Sequence, residues 1–359
     1  MTDALLRSVE ELSESDIAAW RELSEQAVEL NPFLGPDFVL TAAEALSPRN
    51  LGVLAAKQGS EWLACLPVTR IRNWRRVPLR GLVTWRHLYC FLGTPLVRRE
   101  GLDSAVRELV AEGVRASGSF LAFDLLGLDG PVNSAIAAAT SALGFKPVEL
   151  DGFARAALQR REDPGGYLAL SAKHRRNFER LRRRLEDDLG DQLTLRDRTQ
   201  DPSAPEDFLR LEASGWKGPA GTGTAFESIG HRELFLRLCE RMRNRGALEL
   251  VSVEAAGRVA AMLCSFTAGD TVYTFKIGVE HELAEYSPGI QLLTLYIEHF
   301  HSSRFDRVDS CAEPTNTMIN RLWADRREVC IRAIPGSAIK GSLGRPALEG
   351  IAWLRQRRR

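Results

Sequence analysis

"ALELVSVEAAGRVAAMLCSFTAGDTVYTFKIGVE", Ala247 to Glu280, is the stretch that sets the architecture. Its three apolar runs are separated at Ala256-Gly257 and at Gly269-Asp270, pairs that suit tight turns between antiparallel strands. The pattern predicts three consecutive strands. Working outward, "HRELFLRLCERMRNRG" ahead of them has helical periodicity, and "IQLLTLYIEHFHSS" behind Ser287-Pro288-Gly289 predicts a second helix. A short strand in "FDRVDS", a helix around "MINRLWADR" and a strand in "EVCIRAI" complete the set.

The first half of the chain carries the same order. "LGVLAAKQ" and "WLACLPVTRI" flank Gly59-Ser60 as a hairpin, and "WRHLYCFLGTPLV" reads as a strand ending at Gly93. "LDSAVRELVAEGVRA" is an amphipathic helix, "FLAFDLLGL" a strand, "PVNSAIAAATSALG" a helix rich in small residues, and "FKPVELDGFARAAL" one or two strands. Upstream, Ser13 to Leu30 and Phe38 to Leu46 read as helices around a loop marked by Pro32 and Pro36. The opening "MTDALLRSVEELSESD" reads as acidic and helical. The sequence therefore predicts an α/β (α+β) protein of two like units joined near Asp151 to Gly166. The expected domains are 1–158 and 159–340, with a basic tail at 341–359.

Bulk composition narrows the function classes. In 359 residues, 44% hydrophobic content with 26% charge is enough for a sizeable core. A net charge of +1 gives no global pull toward nucleic acid, so any anion site must be local. One local concentration stands out. "SAKHRRNFERLRRRLEDDLG", Ser171 to Gly190, holds Lys173, Arg175, Arg176, Arg180, Arg182, Arg183 and Arg184 against Glu179 before its acidic end. Phe178, Leu181 and Leu185 recur at helical spacing, so one face is buried and the cations take the others. Arg182, Arg183 and Arg184 have acids four residues on, whereas Lys173, Arg175 and Arg176 stand ahead of the acidic run. No apolar run approaches the length of a membrane span, and the N-terminus lacks the basic start and apolar centre of a secretion signal. The expected location is cytoplasmic. Six dispersed cysteines without short paired spacings fit buried thiols, and no metal is expected.

Five segments, in order, carry a family resemblance: "NPFLGPDFV", "LSAKHRRNFERLRRRLE", "LEASGWKGPAGT", "YTFKIGVEHELAEYSPGIQLL" and "FDRVDSCAEPTNTMINRLW". With the repeated element order, they resemble the two-domain branch of the GCN5-related N-acetyltransferase (GNAT) superfamily. The branch is that of the cellulose-biosynthesis-associated CelD/BcsL-like acetyltransferases, with Fem-type transferases as distant relatives. The resemblance implies tandem GNAT-like domains, each a mixed twisted sheet flanked by helices, the first degenerate for cofactor binding. It implies acetyl-CoA or another acyl-CoA as co-substrate, an amine or hydroxyl on a small-molecule or saccharide acceptor, and direct transfer. A Fem-type reaction using aminoacyl-tRNA, and a non-catalytic role in polysaccharide or envelope assembly, are the alternatives. The glycine-rich diphosphate loop of single-domain relatives is reduced here to Ser287-Pro288-Gly289, and the first half offers only "FLGTPLVRREGLDSAV" in its place.

The candidate residues follow. Ser287, Pro288, Gly289, Ile290 and Gln291 lead from a strand into a helix, whose unpaired N–H groups suit a diphosphate. An ordinary capped helix start is the competing reading of that turn. Lys276, near the strand end, is expected to face the phosphates or the acyl group, a solvated strand-end lysine being the competing reading. Asp309 and Glu313, at and beyond the end of "FDRVDS", are carboxylates placed to orient or deprotonate a nucleophile, or else loop carboxylates that cap the following helix. Cys311 between them lacks a nearby histidine. Glu212 and Trp216 are expected to line the acceptor side, against a helix cap with Trp216 in the core; Lys173 and Arg176 are expected to meet an anionic ligand, against a solvated helix face.

Overall fold

The computed structural model describes residues 2–74, 78–215, 217–218, 221–336, 346, 348–350 and 352. The chain divides into two units, one formed by residues 1–154 with 327–359 and the other by residues 155–326.

Unit 1 begins with β1 (Asp3–Ser8), α1 (Glu14–Gln26), α2 (Pro36–Leu46), β2 (Leu51–Gln58) and β3 (Glu61–Ile71). It continues with β4 (Gly81–Thr84), β5 (Leu96–Val97), α3 (Leu102–Ser117), β6 (Phe120–Gly127), α4 (Pro131–Ala142) and β7 (Val148–Gln159), which leaves the unit after Ala154. Two expectations change here. The opening segment is a strand, not a helix: β1 runs antiparallel along β2 from Asp3↔Lys57 to Ser8↔Gly52. The helical reading weighed the acidic residues that follow, but an edge pairing outweighs local propensity. "WRHLYCFLGTPLV" is not a strand either. Only Leu96–Val97 pairs, and residues 85–95 form a loop whose aromatics pack on one another, with His87 4.3 Å from Trp85.

Unit 2 contains α5 (Ala172–Leu189), β8 (Thr194–Asp197), α6 (Ala204–Ser214), α7 (Arg232–Asn244), β9 (Leu248–Ala255), β10 (Arg258–Ala268) and β11 (Thr271–Val279). It continues with α8 (Pro288–Ser302), β12 (Arg307–Asp309) and α9 (Thr317–Leu322) before β13 (Asp325–Pro335) carries the chain back to unit 1. There Val329–Pro335 lies antiparallel to β6. From β8 on, the order strand, two helices, three strands, helix, strand, helix, strand repeats that of unit 1, apart from the short β5.

Each unit has a mixed sheet flanked by helices. In unit 1 the strand order is β1-β2-β3-β4-β6-β13 and then β7; in unit 2 it is β7-β12-β11-β10-β9-β8. The hairpin read from the opening stretch closes at Ala255↔Arg258, with Ala256 and Gly257 both at positive φ, as a two-residue turn between twisted strands requires. The unit 2 core gathers Leu263, Val272, Leu293, Tyr296 and Trp323 between the sheet and α8, each fully buried and each worth about 1.5–3 kcal/mol.

One polar contact fixes α8 against this sheet. Glu249 of β9 accepts from the Tyr296 hydroxyl at 2.6 Å and meets His299 Nε2 at 3.2 Å. The hydrogen bond to Glu249 raises the His299 pKa, burial opposes it, and the charges of Glu249 and of Asp197 on β8 add to the rise. A raised folded pKa places the stabilisation below the unfolded value near 6.5 and removes it as pH climbs through the folded value. The melting temperature is expected to fall between pH 6 and pH 8 by more in the parent chain than in His299→Gln. Parallel melting curves for the two proteins across that interval would refute the assignment.

Candidate functional site

Three features of unit 2 meet at one end of β11. The first is a divergence of strands. β11 and β12 pair in parallel only at Thr271↔Arg307, Val272↔Val308 and Tyr273↔Asp309. The Thr274 hydroxyl donates to the Ser310 carbonyl at 2.5 Å as the strands part. β11 then runs on to Val279, and among the described residues no strand pairs it on the β12 side. The second is a bulge. Against β10, Cys264 pairs with Lys276 but Ser265 pairs with Thr274, so Phe275 is an extra residue that re-aims the strand where it opens.

The third is the start of α8. Ser287 sits in the left-handed region at φ 55°, and Pro288 enters the first turn without an N–H to satisfy. The Ile290 and Gln291 amides turn back to the Ser287 carbonyl at 2.9 and 3.2 Å. The Gly289 amide donates to no group among the described residues. A helix start with such an amide favours an anion. Gln291 does not share the opening: its side-chain amide is buried, donating to the Phe178 carbonyl at 3.1 Å and ties α8 to α5.

Over the far half of β11 lies a buried group of charges. Gly278 allows α6 to pack closely, since a Cβ there would lie 3.2 Å from Glu212 N and Phe208 O. Glu212 is thereby buried, with Oε2 accepting from the Phe226 amide at 3.0 Å. Its Oε1 has no hydrogen bond and lies 3.8 Å from Lys217 Nζ. Lys217 donates to the Ile277 carbonyl of β11 at 3.1 Å. The Lys276 ammonium lies 5.5 Å from the centre of the Phe226 ring. Burial pulls Lys217 down to about 8, Glu212 opposing and Lys276 reinforcing the drop; burial lowers Lys276 as well, again against Glu212. Sequence reasoning named Glu212 and Lys276 separately and passed over Lys217, although "EASGWKG" contains it. Trp216 lies outside the described residues.

Asp309 is fully buried and bonded to Arg155 Nη2 of β7 at 2.6 Å. Its other oxygen accepts from the Cys311 amide at 2.9 Å, holding Cys311 at φ 50°. Cys311 is itself buried. Glu313 is exposed, and its carbonyl accepts from the Asn320 side chain at 2.9 Å. The two carboxylates are therefore unlike: Asp309 is locked to a buried guanidinium, and Glu313 faces solvent. Arg155 is the partner that sequence reasoning missed.

On α5, residues 171–177 are exposed. Arg182 pairs with Glu186 at 3.0 Å and Arg184 with Glu285 at 3.3 Å. Among the described residues, Lys173, Arg175, Arg176 and Arg183 form no ion pair. No group of His, Cys, Asp or Glu placed to hold a metal occurs among the described residues, and no helix among them is long and apolar enough to cross a membrane.

Unit 1 has a corresponding divergence with a different filling. β4 parallels β6 only at Leu82↔Leu121 and Val83↔Ala122. The Gly93 amide then donates to the Leu125 carbonyl at 2.9 Å, and Thr94 Oγ1 accepts from the Gly127 amide at 2.9 Å. Only glycine fits at 93, where a Cβ would lie 1.9 Å from the Asp124 carbonyl oxygen.

The splayed strand, its bulge and the helix that follows all fall within residues 172–316, which match the family model of the acetyltransferase (GNAT) domain. Most of unit 2 is thus similar to a GNAT acetyltransferase domain. Solved structures share the fold over most of the chain. FemX aligns with a TM-score of 0.58 at 10% identity, covering 98% of this chain and 100% of its own. The C-terminal domain of an Agrobacterium fabrum protein assigned as a lysylphosphatidylglycerol synthetase aligns at 0.51 and 10% identity, covering 92% and 99%. A conserved protein of unknown function from Bacteroides thetaiotaomicron aligns at 0.50 and 11% identity, covering 90% and 98%. No curated protein matches the chain in sequence. At such identities the likeness extends to the fold, and the GNAT domain supports acyl transfer as the general chemistry.

Proposed function

We propose that unit 2 is an acyl-CoA-dependent N-acyltransferase, passing an acetyl or longer acyl group directly to an amine or hydroxyl of a small-molecule or saccharide acceptor. The observation that carries this reading is that the open edge of β11 and the Gly289 amide lie within one GNAT-matched segment. The Gly289 amide and the start of α8 would hold the diphosphate of acyl-CoA, and the open edge of β11 its pantetheine arm; the bound molecule supplies a thioester-activated acyl group.

The chain's residues then divide the remaining work. Direct transfer needs a neutral nucleophile held against the donor and hydrogen bonds for the developing oxyanion. Glu313, exposed beyond β12, is the proton acceptor in this reading. Asp309 acts by position, because its bonds to Arg155 and Cys311 N–H fix the turn that carries Glu313. Lys276 stands beside the acyl group, with Glu212 toward the acceptor side. Unit 1 lacks a donor site in this reading, since Gly93 and Thr94 are bonded to β6 where it parts from β4 and fill that opening.

A second reading rests on α5. Four exposed cations without ion pairs suit a larger polyanion, as a Fem-type use of aminoacyl-tRNA would need. Calorimetric titration of acetyl-CoA, and separately of tRNA, into the parent chain and Lys173→Ala/Arg176→Ala at two salt concentrations separates the readings. Acetyl-CoA binding several-fold weaker in the variant at low salt, with the gap closing at high salt, is the expected result. A loss confined to tRNA would favour the Fem-type reaction. Equal affinities for both ligands would leave these cations as a solvated helix face.

A further inference from the structure

Of the 48 lysine and arginine residues only six are lysine: Lys57, Lys146, Lys173, Lys217, Lys276 and Lys340. Arginine supplies nearly all the positive charge of this chain, yet two of the six lysines come together over β11, against one buried carboxylate. A guanidinium cannot lose its proton in a protein, whereas an amine can. The choice of lysine at these positions is the choice of a group able to become a nucleophile.

We propose that Lys217 is a site of self-acylation, the Nζ amine taking an acyl group from a thioester bound along the open edge of β11. The inference rests on the donor reading above for the identity of the thioester. Three features of the structure support it. Lys217 Nζ lies 3.1 Å from the Ile277 carbonyl, two residues past the Phe275 bulge and on the part of β11 that β12 has left. Its side chain is 20% exposed, so the residue is largely desolvated without being sealed from solvent. Glu212 Oε1, 3.8 Å away and without a hydrogen bond, is placed to accept a proton. The charged groups that act on the amine are Glu212 of α6 and Lys276 of β11.

The chemistry balances without an oxidant or metal. The Lys217 ammonium first loses a proton to solvent, and the neutral nitrogen attacks the thioester carbonyl. Glu212 takes the second N–H proton. The C–S bond breaks as the C–N bond is completed, and the thiolate leaves with the bonding pair and is protonated. The product is a stable amide, not an intermediate of transfer to another acceptor. Acylation turns a titrating cation into a neutral group, leaving Glu212 and Lys276 as the charges of the cluster.

The test compares two acyl sources on the full chain. Acetyl-CoA is incubated with the protein between pH 7 and pH 9, and adducts are mapped by peptide mass spectrometry. A small activated ester of acetate, which needs no donor site, is used in parallel. With Lys217 near 8, labelling by the ester is expected to rise about tenfold from pH 7 to pH 9 and level off, whereas an ordinary lysine near 10.5 rises about a hundredfold without levelling. Acetyl-CoA is expected to place its adduct at Lys217 above the other lysines, and Lys217→Arg is expected to remove it. Ester labelling of Lys217 that follows the ordinary lysine profile overturns the inference. So does an unmodified Lys217 in a chain that binds acetyl-CoA. If acetyl-CoA does not bind at all, the donor reading fails, and self-acylation from that thioester fails with it; the ester profile then measures the reactivity of the amine independently.

Discussion

Asp309→Ala is expected to lower the stability of unit 2 by about 3–5 kcal/mol, the cost of breaking a buried ion pair by removing one member. The geometry supports a value in that range. Arg155 and Asp309 are both essentially inaccessible to solvent, the pair is 2.6 Å apart, and the same carboxylate holds the Cys311 amide. Truncation takes the carboxylate away from a guanidinium that is 1% exposed. Asp309→Asn keeps the shape and part of the hydrogen bonding, so its loss should be smaller. Replacing both members, as Arg155→Met/Asp309→Leu, should recover much of the stability, since a buried pair contributes little over apolar groups of similar volume. Urea titration followed by calorimetry gives the three values. A shift within about 0.5 kcal/mol for Asp309→Ala, the size of an ordinary surface substitution, would show that the pair does not anchor β12.

Gly289→Val is expected to weaken acetyl-CoA binding about 10- to 100-fold. Loss of one charge-assisted hydrogen bond from the Gly289 amide, worth about 1.5–3 kcal/mol, accounts for a change of that size. A Cβ at this position would lie 3.4 Å from both Met318 Sδ and Val279 Cγ1, so alanine just fits and the extra methyl groups of valine must push into the approach to the amide. Gly289→Ala should therefore lose less. The melting temperature of each variant shows whether the change acts on binding or on folding. A Gly289→Val protein that melts like the parent and binds acetyl-CoA equally well would remove the helix start from the donor site.

The repeated element order was legible because each strand and helix of unit 2 has a strong local period, and the hairpin turns at Ala256-Gly257 and Gly269-Asp270 are local chemistry. β1 was hidden because its partner β2 lies some fifty residues on and the acidic residues beside it suggested a helix. The loop at residues 85–95 was hidden for the opposite reason. Its apolar content is that of a strand, but the aromatics pack on each other and Gly93 presses against Asp124, contacts that no local window contains. The pairing of β13 with β6 is likewise a long-range choice that periodicity cannot express.

The same distinction runs through the site. Ser287-Pro288-Gly289 could be picked out by type and order, yet Gln291 two residues on serves to join α8 to α5. Asp309 stood out as a carboxylate at a strand end; only the fold shows Arg155 against it. A signal for Arg155 was present in "FARAAL", where a charged residue interrupts an apolar strand. A buried arginine of that kind needs a carboxylate, and the fold supplies one from 154 residues away. Lys217 had its own signal in the scarcity of lysine, which acquires meaning once Glu212 and Lys276 are seen beside it.

The most direct measurement is a calorimetric titration of acetyl-CoA into the 359-residue chain, read for stoichiometry. Among the described residues, unit 2 leaves β11 unpaired on the β12 side where β12 departs, and unit 1 fills the opening between β4 and β6 with Gly93 and Thr94, so one site per chain is the expected value. Binding at one site per chain, abolished or strongly weakened in Gly289→Val, is the expected result. No detectable binding of acetyl-CoA or longer acyl-CoAs, together with saturable binding of aminoacyl-tRNA, would contradict it.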